Sequence, residues 1–339
     1  MNIGAFFNSK VMELPKSRTK GDFEDYLSLI FNSYMKIVEQ LDSSCHLCRR
    51  IKEQSDSIKR LEEAICGSID DYLKGQPERA YMQLQKGMDS VKNRLDDLKS
   101  FPMSPKDNGN MYRMRISRDG KSLTNPEDLF HIPFELRHKV GSQRYSIYGL
   151  PCLYLGSTIE LCWHELGNPP FDGLYISKFR PKNDIKFLDF SYKPQVLAPF
   201  AFGLSSYNEG QKIREENFFI NYAICWPLIA ASSIVCLCPN EPFVPEYIIP
   251  QLIMQWFVRD APDYDGIRYF SIIWVPEIGL DEFANTINYA FPVSSKDKEG
   301  YCATLKGKFE LTKPLAIKDG NFNDAYQVLN DKNMKYFTV

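Results

Sequence analysis

An excess of positive charge is missing from this 339-residue sequence, in which 41 Lys and Arg residues face 43 Asp and Glu residues, for a net charge of −2. A protein whose main partner is nucleic acid neutralises many phosphates and needs a basic surface. The composition therefore argues against DNA or RNA as a partner. It leaves room for a small anionic ligand, which needs only a local basic pocket.

Signs of export are also missing. The nine cysteines are an odd number, and they lack the regular spacing of a disulfide framework. The first residues have neither the basic start nor the long apolar core of a secretory signal. We therefore expect a cytoplasmic protein with reduced thiols.

Long apolar runs are few, and only residues 217–240, which contain no charged side chain, are long enough to span a bilayer. Pro227 interrupts this run and Asn221 dilutes it. The pattern predicts a buried helix from about Phe218 to Trp226 and a core strand around residues 234–238. No membrane partner is expected.

Motifs for metal or phosphate binding are weak or missing. Cys45 and Cys48 form a C-x-x-C pair, but no second pair lies at zinc spacing, and Cys66 is the only nearby candidate. We interpret the pair as two small buried residues near a helix start, and we expect no metal. No Gly-rich phosphate loop, internal repeat or low-complexity block is present. His131 and His138 have no partners for a catalytic triad and are interpreted as surface residues.

The first third of the chain has a strong helical pattern. Apolar residues recur at steps of three and four over Phe23–Leu41, as on one face of an amphipathic helix. This stripe offers a surface for a homo-oligomer built through the N-terminal helices. Further helices are predicted from Cys45 to Ile65 or beyond, and from Pro77 to about Leu98. Residues 1–20 are predicted to be a poorly ordered lead-in.

The pattern changes near residue 100. Residues 101–110 are rich in Pro, Gly, Asn and Ser, which is typical of a linker, and short strands and turns follow. The predicted organisation is a helical domain over residues 1–100, a linker, and a second domain over residues 111–339. Extra helical matter is expected at about residues 191–260, with residues 191–215 read as loop.

The stretch from Gln143 to Asn168 is the most informative part of the second domain. An apolar run between Pro151 and Gly156 predicts a buried strand. A helix follows and ends near Gly167, where glycine is the preferred residue. Tyr154 therefore lies on the predicted strand, Glu165 on the predicted helix and Arg144 on the approach to them.

The start of that helix has its own signal, because Ser157 and Glu160 have the spacing of a capping box. Two other strands supply polar groups. Met111–Ile116 alternates so that Arg113 and Arg115 share one face, and alternation does not separate them as ligands for a pyrophosphate. Ser271 lies in the apolar strand Ile267–Trp274, where a hydroxyl needs a backbone or ligand partner.

In order and spacing, five of these side chains resemble those of the RES family, which is named for its Arg, Glu and Ser. The resemblance covers roughly residues 111–292 and rests on the following residues: Arg113, Arg144, Tyr154, Glu165 and Ser271. An Asn-hydrophobic segment that follows the serine strand in the family also resembles Asn288 to Phe291. Gln143 and Ser146 replace the Gly and Asn usual around the family's second arginine. The resemblance implies an α+β fold, in which a helical bundle precedes an ADP-ribosyltransferase-like split antiparallel sheet with peripheral helices.

The resemblance further implies a toxin or defence effector that destroys NAD by hydrolysis or phosphorolysis of the nicotinamide–ribose bond. Glycoside cleavage normally needs two carboxylates, one of which protonates the leaving group. Nicotinamide leaves as a neutral molecule, so that one carboxylate can suffice, and Glu165 is the expected one. It would hold a ribose hydroxyl and counter the developing positive charge.

The other residues would bind the substrate. Arg113 and Arg144 are expected to hold the pyrophosphate of NAD, and Tyr145 is expected among the NAD contacts. Tyr154 would position the nicotinamide ring. Ser271 would hydrogen-bond the ribose or the carboxamide.

Two other functions stay open at the level of sequence. The same site could transfer ADP-ribose to a macromolecule, since only the acceptor differs. Alternatively, the second domain could be a non-catalytic interaction module with the helical bundle as the working part. A toxin also implies a restraining partner, either an antitoxin or a trigger protein sensed through residues 20–100.

Overall fold

A computed structural model describes residues 1–18, 21–98, 111–117, 120–203, 209–239, 241–261, 263–273, 286–293, 298–318 and 320–339. The helices are α1 (Ile3–Phe7), α2 (Phe23–Glu39), α3 (His46–Lys52), α4 (Ser55–Leu73), α5 (Pro77–Leu98), α6 (Ile159–Glu165), α7 (Pro194–Gly203), α8 (Glu209–Ser232), α9 (Ile248–Asp260), α10 (Ala303–Lys308) and α11 (Phe322–Leu329). The strands are β1 (Lys16–Ser17), β2 (Met111–Ile116), β3 (Cys152–Gly156), β4 (Leu174–Pro181), β5 (Phe187–Phe190), β6 (Ile234–Val235), β7 (Gly266–Phe270), β8 (Ile287–Pro292), β9 (Phe309–Leu311) and β10 (Leu315–Ala316). This mixture of helices and strands confirms the predicted α+β class.

The chain divides into two compact units. The first comprises Met1–Ser104, Gln143–Tyr145 and Leu188–Pro262, and the second comprises Pro105–Ser142, Ser146–Phe187 and Asp263–Val339. The helical matter expected at residues 191–260 therefore belongs to the same unit as the N-terminal helices. The linker predicted at residues 101–110 lies outside the described residues.

The first unit is built from helices that bury their apolar faces against one another. Helix α4 packs against α5, and α8 packs against both. The stripe predicted on α2 lies inside this unit, where the following residues are buried: Phe23, Leu27, Ile30, Phe31, Tyr34, Ile37, Val38 and Leu41. These side chains pack within the unit's own core. They are therefore not exposed for the dimer contact that the sequence suggested.

The N-terminal segment is packed, and the prediction of a poorly ordered lead-in was wrong. Phe6 and Phe7 on α1 are fully buried, and β1 pairs in parallel with β6. Arg18 donates from Nε and Nη2 to Oε1 of the buried Glu246, 228 residues later in the chain. A local sequence pattern carries no signal of a partner so distant.

The prediction of a loop over residues 191–215 was also wrong. Helix α7 fills much of this segment, and α8 begins at Glu209. Pro194 stands at the first position of α7, where no backbone N–H is needed. Pro199 lies inside the helix, and because proline is rare there the sequence pattern did not predict a helix. The buried helix predicted around Phe218–Trp226 is confirmed as part of α8. Among the described residues, no helix combines the length and apolarity of a membrane span.

The second unit is built on an antiparallel sheet with the strand order β10–β4–β2–β3–β8–β7, in which β9 also pairs with β4. Strand β3 pairs with β8 along its whole length. Strands β2 and β3 pair only where Tyr112 faces Gly156. The sheet therefore splits between β2 and β3. The strand predicted over Ile267–Trp274 is observed as Gly266–Phe270, and Trp274 lies outside the described residues.

Helices α6 and α11 pack with β2 and β4 around a shared apolar core. Its buried members are Tyr112, Met114, Ile159, Cys162, Leu174, Ile176, Ile317, Ala325 and Leu329. Residues of α6 contribute to this core from the start of the helix. The core therefore fixes α6 against the sheet and positions the C-terminal end of that helix, where Glu165 lies.

His131 is fully buried in the second unit, contrary to the surface position predicted, whereas His138 is exposed. Nε2 of His131 accepts the N–H of Cys302 at 2.9 Å. Its Nδ1–H therefore donates to the carbonyl of Ile132, 2.7 Å away. Burial lowers the pKa of His131 to about 4, so that the neutral ring serves as a structural connector.

Candidate active site

Helix α6 carries Glu165 as its last residue, and Thr158 begins it. Oγ1 of Thr158 accepts the N–H of Leu161 at 3.1 Å. Thr158 satisfies one of the free N–H groups at the helix start. The capping box predicted from Ser157 and Glu160 was therefore wrong, because the true cap lies one residue later.

The two residues of the predicted capping box have other partners. The N–H of Ser157 donates to the carbonyl of Ile287 at 2.9 Å, and its Oγ accepts the N–H of Ile287 at 3.1 Å. Ser157 thus extends the pairing of β3 with β8. Oε2 of Glu160 accepts the hydroxyl of Tyr326 at 2.5 Å. Both contacts tie the start of α6 to its surroundings.

The carboxylate of Glu165 is held through one of its two oxygens. Oε1 accepts the hydroxyl of Ser271 at 2.7 Å and the side-chain amide of Asn288 at 2.6 Å. Oε2 has no hydrogen-bond partner among the described residues, and the side chain is half-buried. One oxygen is therefore fixed by the fold, and the other is available as an acceptor.

Ser271 and Asn288 approach Glu165 from neighbouring strands. Ser271 directly follows β7, is fully buried, and donates its N–H to the carbonyl of Thr286 at 2.7 Å. Asn288 lies on β8, where it faces Gly156 of β3 on one side and Tyr269 of β7 on the other. Pairing on both sides fixes the backbone from which the amide of Asn288 reaches Glu165.

Asn288 was not among the site residues predicted from sequence. A signal for it exists, since it is an amide in a strand otherwise composed of apolar and aromatic residues. Such a group is buried here, and a buried polar group needs a partner. Sequence alone, however, does not identify Glu165 as that partner.

Tyr154 shares a sheet face with Asn288. Tyr154 faces Ala290 across the β3–β8 pairing, and Asn288 lies two positions from Ala290 on the same strand. Residues two apart on a strand point to the same face. The hydroxyl of Tyr154 lies 2.8 Å from Oγ of Ser146. Four predicted site residues belong to the second unit, namely Arg113, Tyr154, Glu165 and Ser271.

Arg113 lies at the split in the sheet. Its Nη1 donates to the carbonyl of Tyr154 at 3.0 Å. Its Nε is buried and has no partner among the described residues. Burial, and after it the charge of Arg115, lowers the pKa of Arg113 to about 10, so that it remains a cation at neutral pH.

Arg115 differs from Arg113 in its surroundings. Its side chain is exposed and donates from Nη1 to the carbonyl of Asp128 at 2.8 Å. The structure therefore separates two arginines that strand alternation left equivalent. Arg113 is the one that lies beside Tyr154.

Cys162 is a buried thiol on α6. Its Sγ–H donates to the carbonyl of Tyr112 at 3.3 Å. Burial raises the pKa of Cys162 to about 12, and a hydrogen bond with the backbone of Gly156 opposes that rise. The thiol is therefore neutral and serves as a packing residue at neutral pH.

Arg144 and Tyr145 belong to the first unit. Nη1 and Nη2 of Arg144 donate to the carbonyls of Ser232 and Ile234, each at 2.8 Å, and the guanidinium lies over the ring of Tyr247. Tyr145 is almost fully buried. These partners give Arg144 a role within the first unit's own fold. Contact of Arg144 or Tyr145 with a dinucleotide stays a prediction.

The C-x-x-C pair lies at the start of α3, where Cys45 is the N-cap and Cys48 is buried. Among the described residues, no group of three or more His, Cys, Asp and Glu side chains is arranged to hold a metal ion.

Comparison with known proteins gives one informative relative. The chain is 33% identical over 312 residues to a protein of Bacillus subtilis (strain 168) named "Putative toxin YopC", a match that covers 90% of this chain and 68% of the relative. No family model matches the sequence. No solved structure matches it.

Proposed function

This chain belongs to the same family as YopC, and on that premise we propose that it is a toxin that consumes NAD by breaking the nicotinamide–ribose bond. The observation that carries the proposal is the carboxylate of Glu165. Ser271 and Asn288 hold its Oε1, and its Oε2 has no partner among the described residues. An oriented carboxylate with one oxygen available suits a reaction that develops positive charge on a sugar.

The chemistry needs no proton donor for the leaving group. When the bond between ribose C1′ and the nicotinamide nitrogen breaks, the bonding electron pair neutralises the cationic ring. Positive charge then develops on the ribose, as in glycoside cleavage generally. Oε2 of Glu165 would accept a ribose hydroxyl and stabilise this charge. Water, or the oxygen of a phosphate ion, then bonds to C1′, and the attacking water releases its proton to solvent.

Arg113 is the residue that we propose for the pyrophosphate. It is a cation with a buried Nε that has no partner among the described residues, and burial lowers its pKa to about 10. A bound anion would supply the missing acceptor and favour the charged form. Arginine is also well suited to bind phosphate oxygens with two N–H groups at once.

Tyr154 is proposed to position the nicotinamide ring. Its hydroxyl is 2.8 Å from Ser146 Oγ, and its backbone carbonyl accepts from Arg113. Both ends of the residue are therefore held before a ligand arrives. An aromatic side chain that is already held in place would orient the reacting bond at little cost in entropy.

A toxin that removes NAD must be restrained in the cell that makes it. We therefore propose an antitoxin or a trigger protein as a partner of this chain. Co-expression of the intact chain with candidate neighbouring gene products, followed by measurement of cellular NAD, would identify such a partner.

The direct test is incubation of the purified full-length protein with NAD. We expect release of nicotinamide, with ADP-ribose as the other product if water attacks and ADP-ribose 1″-phosphate if added phosphate attacks. Label from NAD on protein or nucleic acid would instead indicate ADP-ribose transfer. Intact NAD under all of these conditions would contradict the proposal and favour a non-catalytic interaction module.

A further inference from the structure

The pair formed by Glu165 and Asn288 has a second acceptor that the proposed reaction does not use. A carboxylate only accepts hydrogen bonds. The atom of Asn288 that lies 2.6 Å from Glu165 Oε1 must therefore be the amide nitrogen. This contact settles the orientation of the amide, because the carbonyl oxygen Oδ1 then points away from Glu165.

Oδ1 of Asn288 has no hydrogen-bond partner among the described residues, and neither has Oε2 of Glu165. Asn288 itself is buried, with 5% of its surface exposed. The amide carbonyl is therefore left to a ligand or to water for its hydrogen-bond donor. The site therefore presents two acceptors on two side chains that are joined by a hydrogen bond.

The separation of these two acceptors is limited by the covalent geometry. Each carboxylate or amide group spans about 2.2 Å between its polar atoms, and the joining hydrogen bond is 2.6 Å long. Oδ1 and Oε2 are therefore no more than about 7 Å apart. Two adjacent hydroxyls, each donating over about 2.7 Å, bridge acceptors at such a separation.

We infer that Glu165 and Asn288 together bind a vicinal diol, with one hydroxyl donating to Oε2 of Glu165 and the other donating to Oδ1 of Asn288. Resting on the proposed function, this assigns both hydroxyls of the nicotinamide ribose to named acceptors. Asn288 is then a substrate-binding residue as well as the residue that orients the carboxylate. A ligand with one of the two hydroxyls removed leaves one acceptor without its donor and binds more weakly.

The test uses the full-length protein and a carbocyclic NAD analogue, which is not cleaved, together with its forms that lack the 2′- or the 3′-hydroxyl next to nicotinamide. Titration calorimetry gives the Kd of each. For the wild type we expect removal of either hydroxyl to weaken binding by about tenfold. If either hydroxyl is dispensable, within twofold, the inference is overturned without the need for any variant.

Asn288→Ala assigns one hydroxyl to its acceptor. The variant should bind the complete analogue more weakly, should be insensitive to removal of one hydroxyl, and should remain sensitive to removal of the other. Asn330→Ala, at an exposed asparagine of the same unit, is the matched control and should give the wild-type values. Equal sensitivity of Asn288→Ala and wild type to both hydroxyls would contradict the assignment.

The outcome separates this inference from the proposed function. Binding that depends on both hydroxyls, without any cleavage of NAD, would uphold the diol site and contradict the reaction. Cleavage of NAD, together with wild-type binding of an analogue that lacks one hydroxyl, would uphold the reaction and contradict the diol site. No binding of the complete analogue at millimolar concentration would contradict both.

Discussion

At the scale of single residues, Glu62 is a carboxyl group inside the apolar face of α4. It is buried, and its Oε1 has no partner among the described residues. Burial raises the pKa of Glu62 to about 8, because the charged form is disfavoured where water is excluded. Glu62 lies in the same helical stripe as Ile58 and Ile65. Its burial can therefore be predicted from the sequence, whereas its protonation state cannot.

Glu62 makes the stability of the first unit dependent on pH. The folded state holds the proton up to about pH 8, whereas the unfolded chain releases it near pH 4.5. The free energy of unfolding therefore falls as the pH rises from about 4.5 to 8, by on the order of 5 kcal/mol for this group. Glu62→Gln should remove this fall, whereas Glu63→Gln, at an exposed neighbour, should leave most of it, because the charge of Glu63 raises the pKa of Glu62 less than burial does. Denaturation at a series of pH values measures the effect, and equal slopes for all three proteins would contradict it.

His131 makes the stability of the second unit depend on pH with the opposite sign. Burial lowers its pKa from 6.5 to about 4, so that between these values the unfolded chain binds a proton that the folded chain does not. The stability contributed by this group is complete above about pH 6.5 and is lost as the pH falls to 4, by on the order of 3 kcal/mol. His131→Gln should abolish this change. Hydrogen exchange of the Cys302 amide, which donates to His131, reports it, and an unchanged pH profile in the variant would contradict it.

At the scale of elements, α6 depends on Thr158 for its start, and seven residues later it ends at Glu165. Thr158→Ala should cost about 1 kcal/mol of local stability and speed the hydrogen exchange of the Leu161 amide by roughly fivefold. Thr158→Ser keeps the cap and should exchange like the wild type. Equal protection of Leu161 in Thr158→Ala and the wild type would show that the cap is dispensable.

Elements with a regular apolar pattern were predicted well from sequence, and those defined by distant contacts were not. The helices α2 and α5 follow the predicted stripes because local periodicity reflects the buried face of a helix. Helix α7 was missed because of Pro199, and the N-terminal segment was misread because Arg18 pairs with the distant Glu246. The single helix predicted from Cys45 is divided at residues 53–54 into α3 and α4.

In the candidate site, too, some residues could be predicted from the sequence and others depend on distant contacts. Glu165, Tyr154 and Ser271 were identified through a family resemblance, and the structure places them in one unit. Asn288 was part of the resemblance but was given no role in the site, because only the folding of β8 beside β7 and β3 brings it to Glu165. The choice between Arg113 and Arg115 likewise needed the split between β2 and β3, which is not visible in an alternating pattern.

At the scale of the whole molecule, the chain enters and leaves its two units several times. The sequence predicted one boundary near residue 100, because composition changes there. The return of Gln143–Tyr145 and Leu188–Pro262 to the first unit depends on contacts such as Trp256 Nε1 donating to Asp89 at 3.0 Å. The two residues of such a pair are far apart in the sequence, so that local composition does not predict their contact.

The central claim is that one carboxylate on α6 performs the chemistry, and α6 provides its own control. Glu165 and Glu160 lie on the same helix, but Glu160 is bonded to Tyr326 at the helix start. The most direct measurement is the initial rate of nicotinamide release from NAD by the full-length wild type, Glu165→Gln and Glu160→Gln. We predict a loss of about a hundredfold or more in kcat for Glu165→Gln and a change within a few fold for Glu160→Gln. Nicotinamide release by Glu165→Gln at the wild-type rate would contradict the account.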